Sequence, residues 1–286
     1  MTEQIQTQAE TPIPAPAETL IPAPDLAPEK PEKPKKSRRP LLWGIARWTA
    51  AVLVLGGVGA GTAMGITAME RTDVPGLATE SDGRWDYPRL ARPALPEGVM
   101  RPYTEGNDGE IHHADLRQLL LPAPAGATVD PKLKGGWVGF DSYLALLAEK
   151  DRGEVKEFMA ESTLRHVAAR GWTMPDGTAT RIHLLRFSSV AFAEAFKDEI
   201  VGEVTDGGRL PLGVEEAEFD AATQDVVVPY LSLYTYKETE PYGPEQTRWT
   251  YIQAGDTLAV VTQTRKGGAL TVPFQQTVAL QAQLLG

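Results

Sequence analysis

A stretch of 22 residues without a charged side chain, residues 48–69, constrains this chain more than any other feature of its sequence. As an α-helix it would be about 33 Å long, and the hydrocarbon core of a bilayer is about 30 Å thick. We therefore predict one transmembrane helix within residues 41–69. The lipid bilayer is the first partner that the sequence indicates.

Basic residues lie on one side of this span. Residues 30–39 contain six Lys and Arg side chains and one acidic residue, Glu32. Residues 1–29 contain no Lys or Arg. Because loops rich in Lys and Arg stay in the cytoplasm, the N-terminus is predicted to be cytoplasmic. Everything from residue 70 onward is then extracytoplasmic, and the protein is a single-pass protein of the cell membrane.

The residues before the span allow a second interpretation. Residues 37–42 read SRRPLL and resemble the twin-arginine export signature. Cleavage near Ala63 would then release the C-terminal part. A retained anchor is favoured because the 36 residues before Ser37 are long and proline-rich for a signal peptide. Both interpretations export the C-terminal part.

Three glycines inside the span repeat every four residues. Gly57, Gly61 and Gly65 share one helical face, and such a face lets two helices approach closely in a membrane. They are therefore candidates for a helix-pairing face of a homodimer. The alternative is that the repeat reflects only a span rich in Gly and Ala.

Composition divides the rest of the chain. Residues 1–40 contain nine of the 23 prolines and no aromatic side chain, which predicts a disordered cytoplasmic tail. Residues 70–113 contain five prolines and no sustained hydrophobic period, which predicts an irregular extracytoplasmic stalk or linker. Residues 114–286 are predicted to form one folded extracytoplasmic domain.

The pattern within residues 114–286 indicates helices interrupted by strand hairpins. Helices are expected over 142–147, over 153–170 and over 272–285, with another after Ser188. The dipeptides Asp176-Gly177 and Gly255-Asp256 are typical of tight turns between strands. We predict an α+β fold with an antiparallel sheet of about five strands, packed with several helices. The expected strands are residues 172–174, 181–187, 226–236, 248–253 and 257–264.

Two segments resemble a known class of protein. Residues 115–126 (DLRQLLLPAPAG) and 272–281 (VPFQQTVALQ) are similar to segments of actinobacterial envelope proteins, which are single-pass proteins or lipoproteins with an exported α+β domain. The resemblance covers residues 114–286. It implies an exported α+β domain and transfers no catalytic residue.

Several kinds of chemistry are excluded or weakly supported. The chain has no cysteine, which removes disulfides and thiolate sites, and its net charge of −10 argues against nucleic-acid binding. No serine-hydrolase motif is present. Residues 110–115 contain His112 and His113 with carboxylates, but without metal-ligand spacing, so a solvated loop is expected. His166 and His183 are expected to be structural, and no metal, cofactor or catalytic residue is predicted.

Aromatic side chains give the one candidate ligand patch. Tyr230, Tyr234, Trp249 and Tyr251 lie on two neighbouring predicted strands, with a shared parity on each. Exposed rings in this arrangement could stack on a glycan or a peptide. The alternative is cross-strand packing of the rings beneath a helix.

These observations predict a non-catalytic binding or sensory module of the cell envelope, held by a single span. Its partner would be an envelope ligand or protein that the sequence does not identify. Two alternatives remain open: an exported hydrolase released by signal cleavage, and a purely structural envelope protein.

Overall fold

The computed structural model describes residues 47–59, 81–202 and 208–286, and the chain forms two compact units, residues 1–78 and 79–286. In the first unit, residues 47–59 are helical and include Gly57. Gly61 and Gly65, the predicted tail and the second half of the predicted span lie outside the described residues. No helix within the described ranges is long and apolar enough to cross a membrane. The transmembrane helix and its pairing stay predictions.

The second unit is built around one antiparallel sheet. Among its described residues there are seven strands, in the order β1-β2-β3-β7-β6-β5-β4. The strands are β1 (Thr128–Val138), β2 (His166–Thr173), β3 (Ala179–Arg186), β4 (Ala217–Phe219), β5 (Ser232–Glu238), β6 (Glu245–Ala254) and β7 (Thr257–Lys266). The helices are α1 (Asp141–Leu144), α2 (Arg152–Glu161), α3 (Val190–Val201) and α4 (Thr271–Leu285), with short 3-10 turns at Leu116–Gln118, Glu149–Asp151 and Ala221–Thr223. The predicted α+β class with an antiparallel sheet is confirmed.

Helices cover both faces of the sheet, so the unit has three layers. On one face α1, α2 and α3 bury a core that includes Trp249 and Phe196, and on the other face α4 buries a core that includes Trp172 and Phe274. Successive strand residues point to opposite faces, and β6 therefore contributes alternately to the two cores.

The segment before the sheet packs on the α4 layer. Residues 81–113 form no helix or strand, yet Trp85 and Tyr87 contact the core beneath α4. The backbone of Trp85 exchanges two hydrogen bonds with the side-chain amide of Gln276, at 2.8 and 2.9 Å. The Tyr87 hydroxyl lies 2.8 Å from Oγ1 of Thr277. This irregular segment is therefore attached to the domain by specific bonds.

The structure has two strands more than predicted. The strand β1 lacks an alternating pattern because its pairing with β2 is interrupted by register shifts at residues 129–136, and β4 has three residues only. The predicted helix over 153–170 ends at Glu161, and its second half is β2, which contains His166. That strand is buried on both faces, so apolar residues follow one another and imitate a helical spacing. The strand predicted over 226–236 begins only at Ser232.

Candidate ligand-binding cleft

The helices α1 to α3 leave one end of their sheet face open. Here side chains of β3, β7 and β6 that share this face form the floor of a cleft of about 980 Å³. The floor residues are Ala179, Arg181 and His183 of β3, Thr262 and Thr264 of β7, and Glu245 and Thr247 of β6. Pockets of this size hold small molecules in other proteins.

The irregularity of β1 builds one wall of the cleft. Pairing passes from Val129 opposite Trp172 directly to Lys134 opposite Arg170, so residues 130–133 bulge out of the ladder. Leu133 folds down onto Gly171, where a Cβ atom would lie only 3.0 Å from its methyl carbon. Residues Asp130 and Lys132 of the same bulge line the cleft.

A second wall comes from α1 and from the segment that follows α3. Asp141, Ser142 and Leu146 line the cleft together with Pro211 and Leu212. The amide of Leu212 donates a 2.8 Å hydrogen bond to the carbonyl of Leu146, which ties the two segments together. A backbone hydrogen bond therefore holds the two segments of this second wall together.

A serine and a histidine meet where α1 covers the floor. Oγ of Ser142 lies 3.1 Å from Nε2 of His183. His183 is completely buried, and this burial, together with the positive charge of Arg181, lowers the pKa of its imidazole to about 3. Its Nδ1 atom has no hydrogen-bond partner among the described residues. The ring is therefore neutral at physiological pH and is a poor proton acceptor.

Threonine hydroxyls give the rest of the floor its polar character. Thr247 and Thr264 are paired across β6 and β7, and their Oγ1 atoms lie 3.2 Å apart. Thr262 lies directly opposite Arg181 on β3. A hydroxyl both donates and accepts hydrogen bonds, so this floor can satisfy a polar ligand.

The loop with the paired histidines is not solvated as expected. His112 is buried, with Nδ1 lying 2.8 Å from Oδ1 of Asp256 and Nε2 lying 2.9 Å from the carbonyl oxygen of Leu285. His113 is exposed. The described residues contain no group of three or more His, Cys, Asp or Glu side chains that could hold a metal ion. The interpretation as a solvated loop fails for His112 because its neighbours attach it to the core.

The four aromatic residues of the candidate ligand patch occupy three different environments. Trp249 and Tyr251 are buried in the core beneath α3. Tyr234 is half-buried at its margin, with Nζ of Lys197 lying 5.1 Å from the ring centre. Tyr230 precedes β5, is 77% exposed and stacks on Tyr103 at 5.3 Å between ring centres. The rings do not share one exposed surface, and none of the four lines the cleft.

The cleft residues were not singled out from the sequence. One signal was present: the strand parity that holds Leu258 and Val260 in the core continues as Thr262 and Thr264. When alternate residues of a strand change from apolar to hydroxyl side chains, the change indicates where the covered part of that sheet face ends. The helical run at residues 142–147 was predicted, but no sequence signal indicated that α1 would lie over His183.

Comparisons with known proteins establish no family. A scan against protein-family models gives no match, and a search of curated proteins gives none either. Among solved structures the chain is similar to the extracellular domain of PknH from Mycobacterium tuberculosis, with 10% sequence identity and a TM-score of 0.33, over 56% of this chain and 77% of that chain.

Proposed function

We propose that residues 81–286 form a non-catalytic binding module, displayed outside the cell membrane and anchored by the span within residues 41–69. The observation that carries this proposal is the open cleft of about 980 Å³ on the uncovered end of the sheet. One of its walls is held together by the backbone hydrogen bond between Leu212 and Leu146, and its floor carries polar side chains. A purely structural protein has no need of such a floor.

The chemistry of the cleft favours binding over catalysis. A general base works best when its pKa lies near the working pH, whereas burial lowers the pKa of His183 to about 3. A nucleophilic serine also needs a third group to orient its histidine, and Nδ1 of His183 has no such partner among the described residues. His183 therefore lies beneath the floor as a neutral ring that holds the hydroxyl of Ser142 in place at the edge of the cleft.

Thermal unfolding of the full chain in detergent tests the proposal, with a library of polar metabolites and cell-wall fragments as probes. A ligand that binds only the folded state raises the melting temperature by mass action. Ala179 is half-buried on the floor, so Ala179→Trp fills the cleft and should abolish the rise. Ala195 is exposed on α3 and away from the cleft lining, so Ala195→Trp is the matched control and should keep it.

Two results contradict the proposal. The first is a library in which no compound stabilises the wild-type chain. The second is a ligand that stabilises Ala179→Trp as much as the wild type, since that ligand must bind elsewhere.

An exported hydrolase is the second candidate, and the 3.1 Å contact between Ser142 and His183 is the observation that favours it. A fluorophosphonate probe distinguishes the two functions because it labels activated serines covalently. We expect no labelling of the wild type. Labelling of the wild type that disappears in Ser142→Ala would contradict the binding module and support a serine hydrolase.

A further inference from the structure

Arg181 differs from the other arginines of the sheet. Four of the five sheet arginines donate hydrogen bonds from their guanidinium groups to acceptors within the domain: Arg170, Arg186, Arg248 and Arg265. Arg181 forms no ion pair and no side-chain hydrogen bond with the described residues, and it is exposed at the centre of the cleft floor. The cleft therefore contains a cation whose donors are available to a ligand.

The neighbours of Arg181 on the two adjacent strands differ in character. On β2 it is paired with Gly171, over which the side chain of Leu133 lies, and on β7 with the hydroxyl-bearing Thr262. Lys132 lines the same cleft from the β1 bulge. Three acidic residues, Asp130, Asp141 and Glu245, also line the cleft. None forms an ion pair with Arg181, since no carboxylate oxygen of the described residues lies within 4.0 Å of its guanidinium.

We propose that the cleft recognises an oxyanion, a carboxylate or phosphate group of its ligand, through Arg181 assisted by Thr262. A guanidinium matches both groups with two parallel N–H···O bonds. The hydroxyl of Thr262 supplies a further donor, and Lys132 contributes a second positive charge. This inference rests on the proposed binding function and specifies the ligand chemistry of that site.

Titrations with inorganic phosphate and with acetate test the inference, with the melting temperature of the full chain measured at constant ionic strength. Arg181→Gln should raise the concentration needed for half of the stabilisation about ten-fold or more, because hydrogen bonds to charged groups are among the strong ones. Arg181→Lys keeps the charge and loses the two-bond geometry, so its half-stabilising concentration should lie between those of the wild type and Arg181→Gln. Arg89→Gln removes the same charge from an exposed position outside the cleft lining and should behave as the wild type.

The outcomes distinguish an oxyanion site at Arg181 from a binding cleft that lacks one. A response to phosphate alone, to acetate alone or to both, lost in Arg181→Gln and kept in Arg89→Gln, supports the oxyanion site and says which group it accepts. Equal responses of the wild type and Arg181→Gln overturn it, as does the absence of any response in the wild type. A library ligand that is lost in Ala179→Trp and kept in Arg181→Gln would retain the binding cleft and overturn only the oxyanion assignment.

Discussion

Asp256 should be the most costly single charge to remove from this domain. It lies in the tight turn between β6 and β7, is 1% exposed, and accepts hydrogen bonds from four donors. The donors are the backbone amide and Nδ1 of His112, Oγ1 of Thr257 and Nε of Arg186, at 2.8 to 3.1 Å.

The expected magnitude follows from leaving these donors without an acceptor. Breaking a buried ion pair by removing one partner costs about 3–5 kcal/mol, and Asp256→Ala should lower the free energy of unfolding by that amount. The matched control is Glu218→Ala, which breaks the partly exposed 2.7 Å pair with Lys237 and should cost at most about 1 kcal/mol. Urea unfolding followed by tryptophan fluorescence measures both. A loss for Asp256→Ala no larger than that of the control would refute the reasoning.

The same network has a pH signature. Burial alone would raise the pKa of Asp256, but the hydrogen bond and charge of His112, with the charge of Arg186, lower it below the usual range. A carboxyl group with a lowered folded pKa stabilises the protein above its unfolded pKa of about 3.9 and loses that contribution as the pH falls further. Asp256→Ala should therefore reduce the dependence of stability on pH below about pH 4.

Four further predictions concern the core, the cleft and the membrane. Phe274→Ala should lower the free energy of unfolding in urea by about 3–5 kcal/mol because the Phe274 side chain of α4 is completely buried against the sheet. Val272→Ala, at a half-exposed position of the same helix, should lower it by about 1 kcal/mol or less. Similar losses for the two variants would contradict the packing of α4 on the sheet. Burial and the charge of Arg181 lower the pKa of His183 to about 3, so the neutral ring stabilises the fold above its unfolded pKa of about 6.5 and this contribution declines as the pH falls. His183→Leu should flatten the decline of the unfolding free energy between about pH 6 and 4 by up to about 1.4 kcal/mol per pH unit. An unchanged slope of the unfolding free energy against pH would refute this prediction. Protease added to spheroplasts should digest the C-terminal domain and spare a tag at residue 1, and a protected C-terminus would overturn the topology. Self-association in the membrane should weaken in Gly61→Leu, and an unchanged two-hybrid signal would remove the proposed pairing face.

The sequence predicted those parts of the fold that depend on local chemistry. The hairpin of β6 and β7 was expected because Gly255 can adopt the positive φ of a tight turn, and it has φ of +50° in the structure. The helix α4 was expected from its apolar spacing, and it begins one residue before the predicted start. The predicted turn at Asp176-Gly177 likewise joins β2 and β3, where Gly177 has φ of +85°.

The candidate site could not be predicted because it depends on tertiary contacts. Strand parity places Val260 and Thr262 on the same face, but only the lengths and positions of α1 to α3 decide that Val260 is covered and Thr262 lies in a cleft. The two residues meeting at the end of the cleft, Ser142 and His183, are 41 positions apart in the chain. The aromatic residues were the stronger sequence signal, yet Trp249 and Tyr251 are used for packing.

Ligand binding at the uncovered end of the sheet can be tested directly by amide and methyl chemical-shift mapping of residues 79–286, with any compound that raises the melting temperature of the full chain. The shifts should concentrate on the floor, at Ala179, Arg181, Thr262 and Thr264, and on the β1 bulge at residues 130–133. Shifts confined to the α4 layer or to the loop around Tyr230, with the floor unchanged, would contradict it.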